Sequence, residues 1–342
     1  MAGDPAGRPC ARPGEESVAA LPGGGDRGRV EAVVPEGGSM PYLIIAIACS
    51  SSLALIFKYT ETRGLNRYAV TSANYLVAAL VGSILVLSSG TSVPGPGRWP
   101  DLVPGLAAAL GRTGSLSPDE GALWALGTGI AAGGVFFVSF ILYQISIRRH
   151  GAGLPGAFIK LGIFLPMTLS LILWREHPRT MQWLGMGCAG ASIVAANWPG
   201  RHRIGRGLRP VLLALFLFGG LAEFSNKVFQ KYGLVEQKPV FLWATFSTAF
   251  VVSLLAALKA RRPVQRRDLA LGVAVGVPNL FSSFFLIMAL DHMPAAVVFP
   301  AFGAGSVLVI NTVGVLLLGE RLAYRDRIAV GLTILGLILI NV

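Results

Sequence analysis

The sequence predicts an all-α, polytopic membrane protein with ten transmembrane helices in two inverted five-helix repeats. Three observations lead to this prediction: an apolar composition, apolar runs of membrane-spanning length, and an internal repeat. Of the 342 residues, 53% are hydrophobic and only 13% are charged, whereas soluble domains carry about 25% charged residues. A water-soluble surface needs more charged side chains than this. Composition therefore excludes most soluble enzymes, and it also excludes disorder for the bulk of the chain.

The first 39 residues differ from the rest of the chain. Residues 1–39 are rich in Gly and Pro, carry charges of both signs and lack apolar periodicity. They also lack the apolar core of a signal peptide. We predict a disordered N-terminal tail over 1–39. Met40 directly precedes the first apolar run, so it is a second candidate for the start of translation.

Apolar runs recur after Met40 at the length of a membrane-spanning helix. In the first half the predicted spans are 41–57, 69–88, 121–147, 153–174 and 181–197. In the second half they are 209–230, 239–258, 269–290, 294–318 and 326–342. The corresponding repeats are predicted at 40–198 and 208–342.

Proline interrupts three of these runs, at Pro155 and Pro166, at Pro278 and at Pro300. A helix in lipid tolerates such breaks where protein or a cavity satisfies the freed backbone groups. The prolines therefore indicate a central cavity.

The internal repeat is visible without gaps. Residues 139–197 align on 283–341 at an offset of 144, which places Glu176 on Glu320. The start of each half aligns at an offset of 169, which places Lys58 on Lys227. The difference of 25 residues predicts an insertion in the Gly/Pro-rich loop around 89–120. Since each half has an odd number of spans, the second half must cross the membrane in the opposite sense. Inverted repeats are typical of secondary transporters, with the substrate near the midplane.

Each half ends with one pattern: an apolar span, an acidic residue, a basic turn and a Gly-containing last span. The two copies read LSLILWREHPRTMQWLGMGCAGASIVAAN and VGVLLLGERLAYRDRIAVGLTILGLILIN. From Met40 to the end, the chain resembles the EamA-type branch of the drug/metabolite transporter superfamily. The second copy, with Gly319-Glu320-Arg321, matches better than the first, with Trp174-Arg175-Glu176-His177-Pro178. The resemblance implies two five-helix repeats that transport a small metabolite, an amino acid or a drug.

Charged residues inside spans are the first candidates for a substrate or coupling site, because burying them in a membrane is costly. Glu223 and Lys227 are four residues apart in the sixth span, with Asn226 between them. They form either a self-neutralising pair or a site where Glu223 couples protons or binds a cationic group. Lys160 lies about 10 Å into the fourth span at 1.5 Å per residue. It either snorkels to the surface or binds an anionic or carboxylate cargo, and its repeat counterpart, Ala304, is uncharged.

Uncharged polar residues in the spans either join helices or line a polar pocket. The candidates are Asn74, Tyr75, Tyr143, Gln144, Asn279, Ser282 and Ser283. Phe158 and Phe302 are equivalent in the repeat and form either packed core or a cavity-lining pair. Lys58 and Lys227, at span ends, are expected to anchor the interface. Glu176 and Glu320 are expected to stabilise the N-terminus of the helix that follows each of them.

No motif for catalysis or for a cofactor is present. The sequence lacks GxGxxG, a P-loop, HExxH and a serine elbow. His150, His177, His202 and His292 lie in predicted connections, and the three cysteines have no metal-ligand spacing. The arginines cluster between apolar runs, at 201–209 and 261–267, which indicates membrane topology rather than nucleic-acid binding. We therefore expect no enzyme activity, no metal and no cofactor.

The predicted function is secondary transport of a small molecule by alternating access, in the plasma (inner) membrane. Two alternatives stay open: a lipid or glycolipid flippase on the same scaffold, and a membrane enzyme acting on a lipid-linked substrate. The thin spread of acidic residues argues against the enzyme. Proton coupling and the choice between monomer and homodimer are open. Loop charges place both termini outside by the positive-inside rule, whereas the resemblance implies that both are cytoplasmic.

Overall fold

The computed structural model describes residues 40–61, 66–112, 116–150, 153–197, 210–260, 262–318 and 324–341. The helices of the first half are α1 (Met40–Glu61), α2 (Arg67–Ser88), α3 (Trp99–Arg112), α4 (Pro118–His150), α5 (Gly153–Leu161), α6 (Phe164–Trp174) and α7 (Thr180–Asn197). Those of the second half are α8 (Pro210–Tyr232), α9 (Lys238–Ala260), α10 (Arg266–His292), α11 (Ala295–Leu318) and α12 (Tyr324–Asn341). Within these ranges there is no β-strand. The predicted tail and Glu320 lie outside the described residues.

In the part of the chain that the structure describes, six helical segments are long and apolar enough to cross a membrane. They are Tyr68–Ser88, Pro118–Ser146, Pro210–Tyr232, Val235–Ala260, Arg266–His292 and Ala295–Gly314. Shorter apolar segments occupy Met40–Ile56, Phe158–Trp174 and Arg327–Leu339. The chain is therefore an all-α, multi-pass membrane protein.

The fourth predicted span is broken into two helices. A turn at Gly162 and Ile163 separates α5 from α6, and the N–H of Leu165 bonds to the carbonyl of Gly162 at 3.0 Å. Pro166 has no N–H, so it cannot donate the hydrogen bond that a continuous helix needs here. A Cβ atom at Gly162 would lie 3.0 Å from the carbonyl oxygen of Phe216 on α8. The break therefore coincides with a close backbone contact to α8.

The predicted loop around 89–120 contains the additional helix α3. This helix packs against α4. Beside it, an exposed ion pair joins Arg98 to Asp119 at 2.7 Å. The sequence pattern did not predict α3 because Pro104 lies inside this helix. Proline usually indicates the end or a kink of a helix.

Pairs of glycines bring helices of the two halves into close contact. On α4, a Cβ atom at Gly129 would lie 2.6 Å from the carbonyl oxygen of Phe241 on α9. On α10, a Cβ atom at Gly272 would lie 2.6 Å from the carbonyl oxygen of Val70 on α2. Each of these glycines is followed four residues later by a second one, Gly133 or Gly276, that contacts the same neighbouring helix. Small residues at this spacing allow close helix packing in membranes.

The last helix of each half packs against the other. The Ser192 hydroxyl on α7 donates to the carbonyl of Ala329 at 2.9 Å and is hydrogen-bonded to the Thr333 hydroxyl on α12. Gly336 contacts the backbone at Ala189. Later residues of α7 thus meet earlier residues of α12, so the two helices are antiparallel.

Candidate functional site

A cavity of about 200 Å³ lies among helices from both halves of the chain. Its lining consists of Ser50, Leu53, Tyr75, Phe136, Ser139, Phe140, Ile159, Lys160, Ile163, Gly219, Ala222, Glu223, Asn279 and Phe302. Charged, polar and aromatic side chains therefore share one cavity wall.

Two opposite charges line this cavity. Lys160 comes from α5 in the first half, and Glu223 comes from α8 in the second half. The two groups interact electrostatically, but no described carboxylate forms a direct ion pair with Lys160. Glu223 accepts a hydrogen bond from Asn226 Nδ2 at 3.4 Å. The cavity wall therefore carries one charged group from each half.

Two glycines on α8 allow the close helix packing that forms the part of the cavity wall with Lys160 and Glu223. A Cβ atom at Gly220 would lie 2.5 Å from the carbonyl oxygen of Gly162. A Cβ atom at Gly219 would lie 3.2 Å from Ile159 Cγ1. Because these positions carry no side chain, α5 packs directly against α8. That contact brings Lys160 into the wall that also contains Glu223.

Aromatic rings form another part of the wall. Tyr75 is 1% exposed, and its hydroxyl donates to the carbonyl of Phe136 at 3.4 Å. Its ring meets that of Phe140 edge-on, with 6.0 Å between ring centroids. Phe302 lines the cavity, whereas its repeat counterpart Phe158 does not. The cavity is therefore not lined by a symmetric pair of phenylalanines.

An amide pair lies across the two halves at the cavity. Asn279 on α10 lines it and donates to Asn74 Oδ1 on α2 at 3.1 Å. Asn74 is fully buried, and its own amide nitrogen has no partner among the described residues. Pro278 precedes Asn279 and frees one backbone carbonyl of α10 from its helical bond. Asn74 thus positions the amide that the cavity presents.

The predicted pair between Glu223 and Lys227 does not form. Lys227 Nζ instead lies 3.3 Å from Glu176 Oε1 and donates to Gln230 Oε1 at 3.0 Å. The other oxygen of Glu176 accepts the N–H of Ala296 at 3.0 Å, in the first turn of α11. The N-terminus of α11 holds the Glu176 carboxylate close to α8. Lys227 therefore pairs with Glu176 and not with Glu223, which lies one turn earlier on α8.

The predicted role of Glu176 is corrected in one respect. It stabilises the N-terminus of a helix, but that helix is α11 and not α7, which follows it in the chain. Arg175 adopts a left-handed conformation, with φ of 49°, directly after α6. The chain turns there, and Glu176 reaches the other half. Glu320 and the side chain of Lys58 lie outside the described residues.

Other predicted candidates do not line the cavity. Gln144 donates to the Thr71 hydroxyl at 2.7 Å, which joins α4 to α2. Tyr143 is partly buried, and Ser283 is buried. Asn226 is buried behind Glu223. Gln144 and Asn226 thus bond to neighbouring side chains.

Sequence reasoning did not select several residues of the wall. Ser50 belongs to the run Ser50-Ser51-Ser52 in the first apolar span, which was a detectable polar signal. Phe136 and Phe140 are four apart on α4, and Ser139 lies beside them. The phenylalanines carried no signal, because apolar residues at helical spacing are ordinary core. No group of three or more His, Cys, Asp or Glu side chains in the described ranges could hold a metal ion.

Comparison with known proteins identifies the fold alone. No family model and no curated protein matches the sequence. A solved protein crystal structure superposes on this chain with a TM-score of 0.65 at 16% sequence identity. The superposition covers 89% of this chain and 96% of the solved chain. The arrangement of helices described above therefore occurs, over nearly its whole length, in a solved protein.

Proposed function

We propose that the chain is a secondary transporter of the EamA type that moves a small polar or amphipathic molecule by alternating access. The observation that carries this proposal is the cavity, to which the two halves contribute opposite charges, Lys160 and Glu223. A transporter needs a polar site between two bodies that move relative to each other. A charge from each half makes the site sensitive to that movement.

The proposed architecture has ten spans in two inverted repeats. The first half supplies α1, α2, α4, the broken pair α5 and α6, and α7, while the second supplies α8 to α12. At the offset of 144, α6 falls on the second part of α11. At the same offset, α7 falls on α12. Both correspondences support the repeat.

Helix packing supports the inverted sense of the repeat. In a pseudo-twofold arrangement, each contact has a counterpart with the two halves exchanged. Helix α1 packs on α10 as α8 packs on α4, and α4 packs on α9 as α10 packs on α2. At the offset of 144, Ser192 corresponds to Gly336 and Ala189 corresponds to Thr333. The contact of Ser192 with Thr333 therefore has a counterpart in the contact of Gly336 with Ala189. The antiparallel pairing of α7 with α12 agrees with this exchange.

The chemistry of the cavity favours a small substrate with an anionic group. Lys160 offers an ammonium that forms no direct ion pair among the described residues, and Asn279 offers an amide. The aromatic wall adds apolar surface. The volume, about 200 Å³, is small for a glycolipid, so it favours a metabolite over a flippase substrate.

Uptake into proteoliposomes with a panel of small carboxylates, cations and neutral solutes tests the proposal. Lys160→Gln should weaken apparent affinity for the transported anion by about 10- to 100-fold, because a hydrogen bond to a charged group contributes about 1.5–3 kcal/mol. Lys231→Gln is the matched control, since Lys231 is exposed on the same helix as Glu223. Uptake of no solute by the wild type, or equal affinity in Lys160→Gln and the control, would contradict the proposal.

A further inference from the structure

A chain of polar contacts joins three elements beyond the cavity. Glu176 Oε1 lies 3.3 Å from Lys227 Nζ, which donates to Gln230 Oε1 at 3.0 Å. Gln230 Nε2 donates in turn to Asp291 Oδ1 at 3.3 Å. We name these four residues, Glu176, Lys227, Gln230 and Asp291, the Glu176 bridge. It connects the turn after α6 with α8 and with the end of α10.

The bridge is sheltered from solvent at its central ion pair. The side chain of Lys227 is 6% exposed and that of Glu176 is 14% exposed. The Trp174 ring lies 5.7 Å from Lys227 Nζ and stacks on Phe224. Trp174 Nε1 also donates to the Tyr232 hydroxyl at 3.2 Å. A surface ion pair would contribute little, whereas a sheltered pair with additional hydrogen bonds is costly to break by removing one partner.

The bridge lies at one end of the cavity. On α8, Lys227 is one turn, or about 6 Å at 1.5 Å per residue, beyond the cavity residue Glu223. On α11, Ala296 is six residues, or about 9 Å, from the cavity residue Phe302. The carboxylate of Glu176 contacts α8 and α11 at these two points. The Glu176 side chain therefore bridges α8 and α11 just past these cavity residues.

The bridge also crosses between the halves. Trp174 and Glu176 belong to the first half, and their partners Lys227, Tyr232 and Ala296 belong to the second. Two halves that rock against each other cannot separate at this end without breaking these contacts. We propose that the Glu176 bridge is the gate that closes the cavity at this end, an inference that rests on the alternating-access function proposed above.

Cysteine accessibility tests the gate without any substrate. In a background in which Cys10, Cys49 and Cys188 are replaced by Ala, Ser139→Cys places a reporter in the cavity wall. In a separate protein, Tyr232→Cys identifies the membrane side on which the bridge lies, because Tyr232 is exposed at the end of α8. A membrane-impermeant maleimide is then applied from that side to sealed proteoliposomes.

Breaking the gate should expose the reporter. We expect Glu176→Gln and Lys227→Met each to raise the labelling rate of the reporter about tenfold or more from the bridge side. Lys227→Arg retains the positive charge, so the labelling rate of the reporter should stay near that of the protein with the bridge intact. Asp119→Asn breaks the exposed pair with Arg98 and is the matched control, for which we expect no change.

The outcomes separate the gate from the transport proposal. Unchanged labelling in both Glu176→Gln and Lys227→Met, at normal membrane abundance and thermal stability, would overturn the gate and leave transport standing. Equal increases in Asp119→Asn would also overturn it, because the effect would then be unspecific. Raised labelling in the two bridge variants, with uptake of no solute by the wild type, would support a gate and contradict the transport proposal instead. If Glu176→Gln fails to fold, Trp174→Phe keeps an aromatic ring, removes the hydrogen bond to Tyr232 between the halves and should raise labelling in the same direction.

Discussion

Glu223→Gln is the most direct test of proton coupling in this protein. Glu223 lines the cavity, and the described residues include no direct ion-pair partner for it. The hydrogen bond that its carboxylate accepts from Asn226 Nδ2 is made to a side-chain oxygen, a group that glutamine retains. The substitution therefore keeps shape and contact while it removes the proton-binding group. Any change in coupling can then be assigned to titration rather than to packing.

The size of the expected effect follows from the energy of a pH gradient. One pH unit is worth about 1.4 kcal/mol per proton, which is a factor of ten in substrate concentration. If one proton moves with each substrate through Glu223, a gradient of one unit should sustain about a tenfold accumulation ratio in the wild type. In Glu223→Gln the ratio should fall to about one, while exchange of labelled for unlabelled substrate continues.

Proteoliposomes with imposed pH gradients of different size provide the assay. The accumulation ratio is measured at steady state for the wild type, for Glu223→Gln and for Glu236→Gln. Glu236 is exposed in the connection after α8, so its substitution should leave the slope of accumulation against pH gradient unchanged. A slope in Glu223→Gln equal to that of the wild type would refute a coupling role for this carboxylate.

Two further predictions concern packing and the N-terminal segment. Gly220→Val should destabilise the protein by about 1–3 kcal/mol through overpacking, since a Cβ atom there would lie 2.5 Å from the Gly162 carbonyl. Gly187→Val is the control, because a Cβ atom there would meet nothing within 4 Å, and it should change the melting temperature in detergent little. Equal shifts of the melting temperature in Gly220→Val and Gly187→Val would contradict this reasoning. Deletion of residues 2–39 should leave membrane insertion and uptake intact, because the segment has no apolar periodicity with which to pack. A large loss of uptake at equal membrane abundance would count against that expectation.

The sequence predicted the membrane class and most helix positions because these depend on composition and on local apolar length. It singled out Lys160 and Glu223 by the same physics, since a charge within an apolar run needs a partner or a polar cavity. The structure places both of these charges in one cavity wall. Their proposed roles in binding and coupling remain predictions.

Pairings between distant segments were decided only in the tertiary structure. The local pattern favoured Lys227 with Glu223, one helical turn apart, but Lys227 pairs with Glu176. The left-handed turn at Arg175 and the N-terminus of α11 place that carboxylate, and neither can be read from the sequence around Lys227. The break between α5 and α6 depends likewise on Pro166 and on the backbone contact of Gly162 with α8. Helix formation in a membrane is local, because each backbone group must be satisfied within its own segment, whereas the partner of a buried charge is set by which helices the fold brings together.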